Sequence, residues 1–553
     1  GCRPGTPIWV EKILEGAEQL PDWACAGTTG YDAAAALTTA LVDPGTVDAV
    51  TAAWSRTGGQ PSLALCTEQS KRQVLDTLLQ PELNRLHRSA IAALPDLDPV
   101  ELRAALGELL VDVAVYRAYV TPGVDPDAQL VAPLHEALGR VGEQHPGLAA
   151  TAAAVVGVLQ RPETAPGDRA AAADLCVRFQ QTTGPVMAKG IEDTTFYRWH
   201  RLCALNEVGF DPITGEHPGT ADLHAWATHQ AEHWPLGMTT LSTHDTKRSE
   251  DVRARLIALA GDAEAWTTLS RLASEAAVQH GVDAPTAHLV WQTLLGVLPI
   301  EAGRLREYLV KALREGKERT SWRAPEQDYE RAVVEFAESH RVDGPLHEAV
   351  TPALNVHQDT IASLTLAQKA LQLTLPGVPD IYQGCELLER SLVDPDNRRP
   401  VDFAERARLL AESAEPLPSA ASEGADGSGC HDPASALSRR KLLLVHRLLT
   451  LRRDHPAVFG DRSSYTPLAT DVEHLVAFAR GRAERPEVVV AATRAPVALA
   501  RRGGWGADTV ELPSGPWRDV LTDLPVEGGV RGCAELLAHG PVAVLVRSDL
   551  PEG

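Results

Sequence analysis

Lysine and methionine are scarce in this sequence. Of 52 basic residues only eight are lysine, and there are two methionines in 553 positions. With the abundance of alanine, that bias reads as GC-rich coding DNA, not as function. Cysteine does not form patterns either. The eight cysteines, at 2, 25, 66, 176, 203, 385, 430 and 533, include no C-x-x-C pair. That excludes the usual structural zinc spacing and a disulfide framework, and it suits a reducing compartment. The most apolar stretches, Leu148–Leu159 and Leu289–Ile300, are broken by polar residues. They fall short of the ~18 residues a membrane span needs. Clustered positive charge is missing too: 74 acidic residues leave a net charge of −22. Nucleic acid and anionic membrane are therefore not expected partners. No G-x-G-x-x-G, P-loop, H-E-x-x-H or G-x-S-x-G occurs, so nucleotide, zinc-protease and α/β-hydrolase chemistry lack their parts. The start, Gly1-Cys2-Arg3-Pro4, has neither methionine nor a charged segment leading into an apolar one, and it does not read as a secretory signal.

The composition itself is that of an ordinary globular protein, 44% hydrophobic and 23% charged. The length suggests two to four domains. Ile8-Trp9-Val10-Glu11 reads as a buried strand with a carboxylate at its C-terminal end, followed by the turn-rich Gly27-Thr28-Thr29-Gly30-Tyr31-Asp32. From 33 to 180 apolar residues recur at three- and four-residue spacing, as in Leu102, Leu106, Leu109, Leu110 and Val113. That spacing predicts helices. A polar centre runs from about 180 to 255, and in it Met238–Thr243 predicts a strand ending at His244-Asp245. Helical spacing returns from 249 to about 350. Ala362–Leu375 predicts a helix and Val378–Tyr382 a strand. Residues 411–435 are rich in Gly, Ser and Pro and read as a linker or loose loop. A helix is expected over 438–454. Short runs at Leu475–Phe478, Val488–Ala492, Val510–Leu512 and Val542–Val546 then predict a small antiparallel β domain. Strands that carry ionisable groups at their C-terminal ends, separated by long helical stretches, are compatible with part of a (β/α)8 barrel.

Three groups of residues could carry chemistry. Glu11 and Asp245, at strand ends, are either part of a glycosidase site or solvated charges. His244 beside Asp245 could donate to a sugar hydroxyl while the carboxylate accepts. The run Gln180–Thr194 mixes amides, hydroxyls, Lys189 and Glu192 around glycines; it reads as a polyol-binding loop or as a solvated turn. In Asp394-Pro395-Asp396-Asn397-Arg398-Arg399-Pro400, Asp396 and Arg398 offer acceptors and a forked donor suited to vicinal hydroxyls, or a surface salt-bridged turn. Trp9, Tyr197, Trp199 and Tyr382 are candidates either for stacking on sugar rings or for the core.

Taken together, Val10–Leu14, Gly27–Asp32, Met187–Thr194, Leu205–Gly209, Ser242–Asp251, Gly377–Gly384 and Leu392–Pro400 closely resemble maltooligosyl trehalose synthase, an intramolecular transglucosylase of the α-amylase clan. The resemblance runs from Trp9 to about Asp402 and weakly beyond. It implies a (β/α)8 barrel with large helical insertions and a C-terminal antiparallel β domain. The barrel segments would be 1–32, with the acid/base strand, 181–255, with the His-Asp strand, and 351–410. The helical insertions would be 33–180 and 256–350, and 436–553 would hold the last helix and the β domain. It implies a general acid/base at Glu11, a hydroxyl-binding carboxylate at Asp245 with His244 as companion, and contacts to the reducing-end glucose from Lys189, Glu192 and Lys247. No cofactor and no metal are implied. The expected substrate is a maltooligosaccharide, the expected functional partner a trehalohydrolase and the expected location the cytoplasm.

One departure stands out. The clan's nucleophile is an aspartate in a Gly-x-Arg-x-Asp pattern shortly before the acid/base, yet ten residues precede Glu11 and none is Asp. The expectation is therefore a C-terminal portion of a longer protein, without the first half of the barrel and inactive alone. An α-glucan hydrolase and a non-catalytic glucan-binding fragment are the competing readings.

Overall fold

The computed structural model describes residues 5–210, 219–412 and 433–550. Four very short strands form two parallel pairs. β1 (Trp9–Val10) pairs with β2 (Gly27–Thr28), and β3 (Met238–Thr239) with β4 (Val378–Pro379). Glycines bring the pairs edge to edge. At Gly27 (φ +133°) a Cβ would lie 2.5 Å from Gly237 Cα, and at Gly377 (φ +127°) one would lie 2.5 Å from Gly237 O. No side chain larger than hydrogen fits there.

The strand expected over Met238–Thr243 is only two residues long, because side chains take over the hydrogen bonding beyond it. Gln372 Nε2 donates to both Thr239 O and Asp380 O, and Thr240 Oγ1 donates to Ser242 O. The strand expected over Val378–Tyr382 likewise stops at Pro379; Val378 N and Asp380 N donate to Gly237 O and Thr239 O, and the Asp380 carbonyl is then taken by the Gln372 side chain.

Between β2 and β3 the chain builds a helical unit with a core of its own, made of Leu75, Leu86, Leu106, Leu109, Val155, Leu175, Phe179 and their neighbours. Its helices start where the sequence supplies caps. Ser62, Asp98, Asp127 and Asp168 each accept a backbone N–H of the first turn of Leu63–Thr77, Pro99–Asp112, Ala128–Gln144 and Arg169–Met187. The polar run Gln180–Thr194 is neither a loop nor a solvated turn in its first half. It forms the end of the helix Arg169–Met187, with Gln180, Thr182 and Thr183 buried. Gln180 exchanges hydrogen bonds with the backbone of Val120, and Thr183 Oγ1 donates to Tyr116 O, so these polar side chains are satisfied inside the unit. A π-helical turn, Ala188–Glu192, follows.

Seven helices from Glu250–Ala260 to Gln358–Thr374 separate β3 from β4. Residues 413–432, most of the segment read as a linker, lie outside the described residues. The helix Pro433–Asp454 then leads into a six-stranded antiparallel sheet in the order β5-β6-β7-β10-β8-β9. These strands are Ser464–Pro467, Leu475–Arg482, Arg485–Thr493, Thr509–Asp519, Pro525–Gly532 and Val542–Arg547 for β5 to β10 in sequence order. Period-two alternation sends Val476, Phe478, Val488 and Val490 to the main core and Leu475, Ala477, Val489 and Ala491 to a second one. The main core also takes in Leu371 and Leu448, from the helices Gln358–Thr374 and Pro433–Asp454. No helix among the described residues is long and apolar enough to cross a membrane.

Candidate active site

Glu11 directly follows β1, and His244 and Asp245 lie beyond β3 on a tight turn. One ligand atom from each of the three comes within 4.8 Å of the others, and all three side chains are exposed. His244 Nε2 stands 3.1 Å from Asp245 Oδ2. Residues 234 positions apart thus converge beyond the C-terminal ends of β1 and β3, on the side where barrel enzymes keep their chemistry. Two carboxylates and an imidazole at this spacing suit sugar hydroxyls. They are also the ligand types of a divalent cation site.

The turn is tightly specified. Thr243 N donates to Thr246 Oγ1, while Thr243 Oγ1 accepts from the backbone N–H of Asp245 and of Thr246. Tyr31 OH lies 3.1 Å from Thr243 Oγ1. Burial pushes the Tyr31 phenol well up, and the nearby Asp245, Glu11 and Glu207 carboxylates push it the same way. Glu207, 1% exposed, accepts Lys247 N at 2.6 Å and Arg248 N at 3.1 Å, with Arg253 3.5 Å from its Oε2. From the other side Asn397 Nδ2 donates to Thr243 O and His244 O.

Lys247 is buried under this turn, with Nζ 3.1 Å from Asp193 Oδ1 and 4.0 Å from Glu192 Oε2. Burial alone would lower its pKa, but Tyr197, Asp193, Glu192 and Glu207 raise it well above the usual lysine value. The Glu192 carboxyl is held up by burial despite Lys247, and it accepts a very short bond from Tyr116 OH. Asp193 goes the other way: Lys247 and Lys189 outweigh its burial and hold its pKa down. Lys189, half exposed, reaches Asp193 Oδ2 at 2.5 Å. Lys189, Glu192 and Lys247 therefore form one cluster around Asp193.

Asp396 and Arg398 are placed differently. Arg304 grips both Asp396 oxygens, at 2.6 and 2.9 Å, and Leu392 N donates to one of them. Arg398 is half exposed and paired with Asp394. Tyr197 and Trp199 are core residues, each 4% exposed, whereas Trp9 and Tyr382 are only partly buried. A cavity of about 880 Å³ adjoins the site through Glu15–Gln19, Ile191, Phe196 and Phe210, but it does not include Glu11, His244 or Asp245.

Sequence reasoning did not single out Asp193, Glu207 or Asn397. Each lies within a run already noted. For Glu207 the available signal was a lone carboxylate between Leu205 and Val208, in a stretch too apolar for a solvated turn.

The architecture is that of a (β/α)-barrel protein, represented by its later strands, with inserted helical units, a C-terminal antiparallel sheet and carboxylates at the strand ends. The maltooligosyltrehalose synthase of Arthrobacter ramosus superposes with a TM-score of 0.83 at 37% identity, over 98% of this chain and 66% of that one. A structure described as DSM5389 glycosyltrehalose synthase gives 0.75 at 26%, over 98% and 64%. A curated sequence from Mycobacterium tuberculosis, described as a putative maltooligosyl trehalose synthase, is 37% identical over 561 residues. That match covers 99% of this chain and 66% of the relative, so the chain spans slightly under two thirds of its length. No protein-family model matches. The chain belongs to the maltooligosyl trehalose synthase family.

Proposed function

We propose that the protein carrying this chain is a (1→4)-α-D-glucan 1-α-D-glucosylmutase. It would convert the reducing-end α-1,4 linkage of a maltodextrin to α,α-1,1, a step of trehalose formation. The observation that carries this reading is the convergence of Glu11, His244 and Asp245 beyond the ends of β1 and β3, beside a buried lysine–carboxylate cluster. The donor anomeric centre keeps its α configuration, which calls for two displacements through a glycosyl-enzyme. Glu11 protonates the departing 4-oxygen. The freed glucose turns over without leaving, and Glu11 takes the proton from its 1-hydroxyl as that oxygen attacks. The nucleophile in this scheme is a carboxylate other than Glu11 and Asp245. Asp245 and His244 hold hydroxyls of the reacting sugar.

Water competes at the second step, so glucose must be held and solvent kept out. Lys189 presents an exposed ammonium for this grip, while Glu192 and Lys247 stiffen the wall behind it. Arg398 offers a further donor at the rim, with Asp396 fixing the turn that carries it. The product is a substrate for a hydrolase that releases trehalose, and free thiols suit a shared cytoplasmic setting.

The test is incubation with maltopentaose and separation of the products. A non-reducing oligosaccharide as the main product supports the reading. Free glucose as the main product indicates a hydrolase, and unchanged substrate with measurable binding indicates a glucan-binding protein.

A further inference from the structure

We propose that Lys441, on the C-terminal helix Pro433–Asp454, is a positioning residue for the turn that carries His244 and Asp245. The proposal rests on the functional reading above for its kinetic arm and on geometry alone for its structural arm.

Lys441 is fully buried. Its Nζ lies 2.8 Å from Glu250 Oε1 and 2.8 Å from Asp251 Oδ2, and it also donates to Leu387 O. A second buried lysine, Lys369, stands 2.8 Å from the same Glu250 oxygen. Glu250 opens the helix Glu250–Ala260, and its other oxygen accepts from Ser242 Oγ, while its backbone N–H donates back to Ser242 Oγ at 2.9 Å. Ser242 is two residues from His244. The path from helix 433–454 to the catalytic turn is thus one lysine, one carboxylate and one serine.

A parallel path runs through Asp251. Its Oδ2 accepts from Glu389 N at 2.7 Å. The 389–391 strap pairs with Ser249, whose N–H donates to Ser391 O and whose Oγ donates to Glu389 O. Farther along the same segment Asn397 holds the carbonyls of Thr243 and His244. Both routes depend on two adjacent buried anions, Glu250 and Asp251, being matched by two buried cations. Burial raises the Glu250 pKa, but Lys369 and Lys441 outweigh it and hold the carboxyl well below its usual range. With Lys441 gone, Lys369 alone faces two carboxylates. Burial already raises the Asp251 pKa, so that carboxyl takes up a proton. Glu250 and Asp251 also lose the Nζ that ties them to Leu387 O and are free to shift, which moves Ser242 or the strap.

Hydrogen exchange and kinetics on the protein carrying this chain test the proposal, with Lys441→Met and Lys441→Arg. In Lys441→Met, exchange of the amides of residues 243–248 should rise about tenfold, while the helical unit from Leu63 to Met187 stays unchanged. The kcat should fall about tenfold at a KM within a factor of about two, as expected of a small misplacement of catalytic groups. Lys441→Arg should recover part of both. If Lys441→Met does not fold, the double variant Lys441→Met/Asp251→Asn, which removes one charge of each sign, takes its place.

Unchanged exchange at 243–248 alongside loosening of 433–454 would mean that Lys441 only anchors its own helix, and would overturn the proposal. If the unaltered protein makes no non-reducing product, the functional reading fails, and the exchange arm still decides for or against Lys441.

Discussion

Glu11 and Lys247 show how differently two residues of one site can be tested. Glu11 is exposed at the end of a two-residue strand, so Glu11→Gln should leave the fold intact. The amide cannot donate a proton as an acid does, and turnover should fall by ~10²–10⁴-fold with maltodextrin binding retained. Initial rates together with calorimetric binding check this, and near-normal turnover would remove Glu11 from the mechanism. Lys247 is buried against Asp193 and Glu192. Lys247→Ala leaves Glu192 without its cation and Asp193 with Lys189 alone, and it should cost roughly 3 kcal/mol of stability as well as shifting product toward free glucose. Lys189→Ala, at a half-exposed pair, should shift the product ratio with little change in stability. If neither variant raises the glucose fraction, the grip on the glucose lies elsewhere. The contrast was not legible in the sequence, where both lysines stand in similar polar runs. Burial is decided by Glu207 and Asp193, which are brought beneath the turn only by tertiary packing.

At the scale of elements, helices were the most legible feature. Their apolar spacing and Asp or Ser caps are local signals, and the 63–187 unit assembles from neighbours in sequence. The barrel strands were legible in position but not in length. Hydrogen bonding by the Gln372 and Thr240 side chains ends them early. None of that is encoded in alternation of apolar residues. The run at 180–194 misled because polar residues satisfied by distant backbone groups look like a surface loop in sequence. Close approach of the strands rests on glycine, and Gly27→Ala tests it. A Cβ 2.5 Å from Gly237 Cα must push β2 from β3, at a backbone angle that already disfavours alanine. The expected loss is roughly 1–3 kcal/mol, with a several-fold drop in activity because Glu11 moves away from His244 and Asp245. Thermal unfolding and kcat measure the two effects. A Gly27→Ala protein with unaltered melting would mean that the strand packing has slack.

For the whole molecule, acid sensitivity should begin before the carboxylates titrate. His200 and His288 are buried, and burial lowers their pKa values from the ordinary 6.5 to about 4 and about 3. In that window the unfolded chain binds protons that the folded chain refuses. Stability is therefore complete above about pH 6.5 and falls as the pH drops toward the folded values, by up to about 1.4 kcal/mol per pH unit for each histidine. Denaturant melts between pH 7 and pH 4.5 should show that slope, and His288→Gln should reduce it. A flat profile down to pH 5 would rule the pair out as the cause.

Scarcity of lysine, which reads in the sequence as a by-product of base composition, coincides in the structure with a specific placement. Five of the eight lysines, Lys12, Lys71, Lys247, Lys369 and Lys441, are buried. Lys189, Lys311 and Lys317 hold Asp193 or backbone carbonyls near the site. A protease that cuts only after lysine therefore meets most of its targets inside the folded protein, with Lys189 the exposed one, so the time course of cutting at the five buried lysines becomes a meter of how often the protein opens around them.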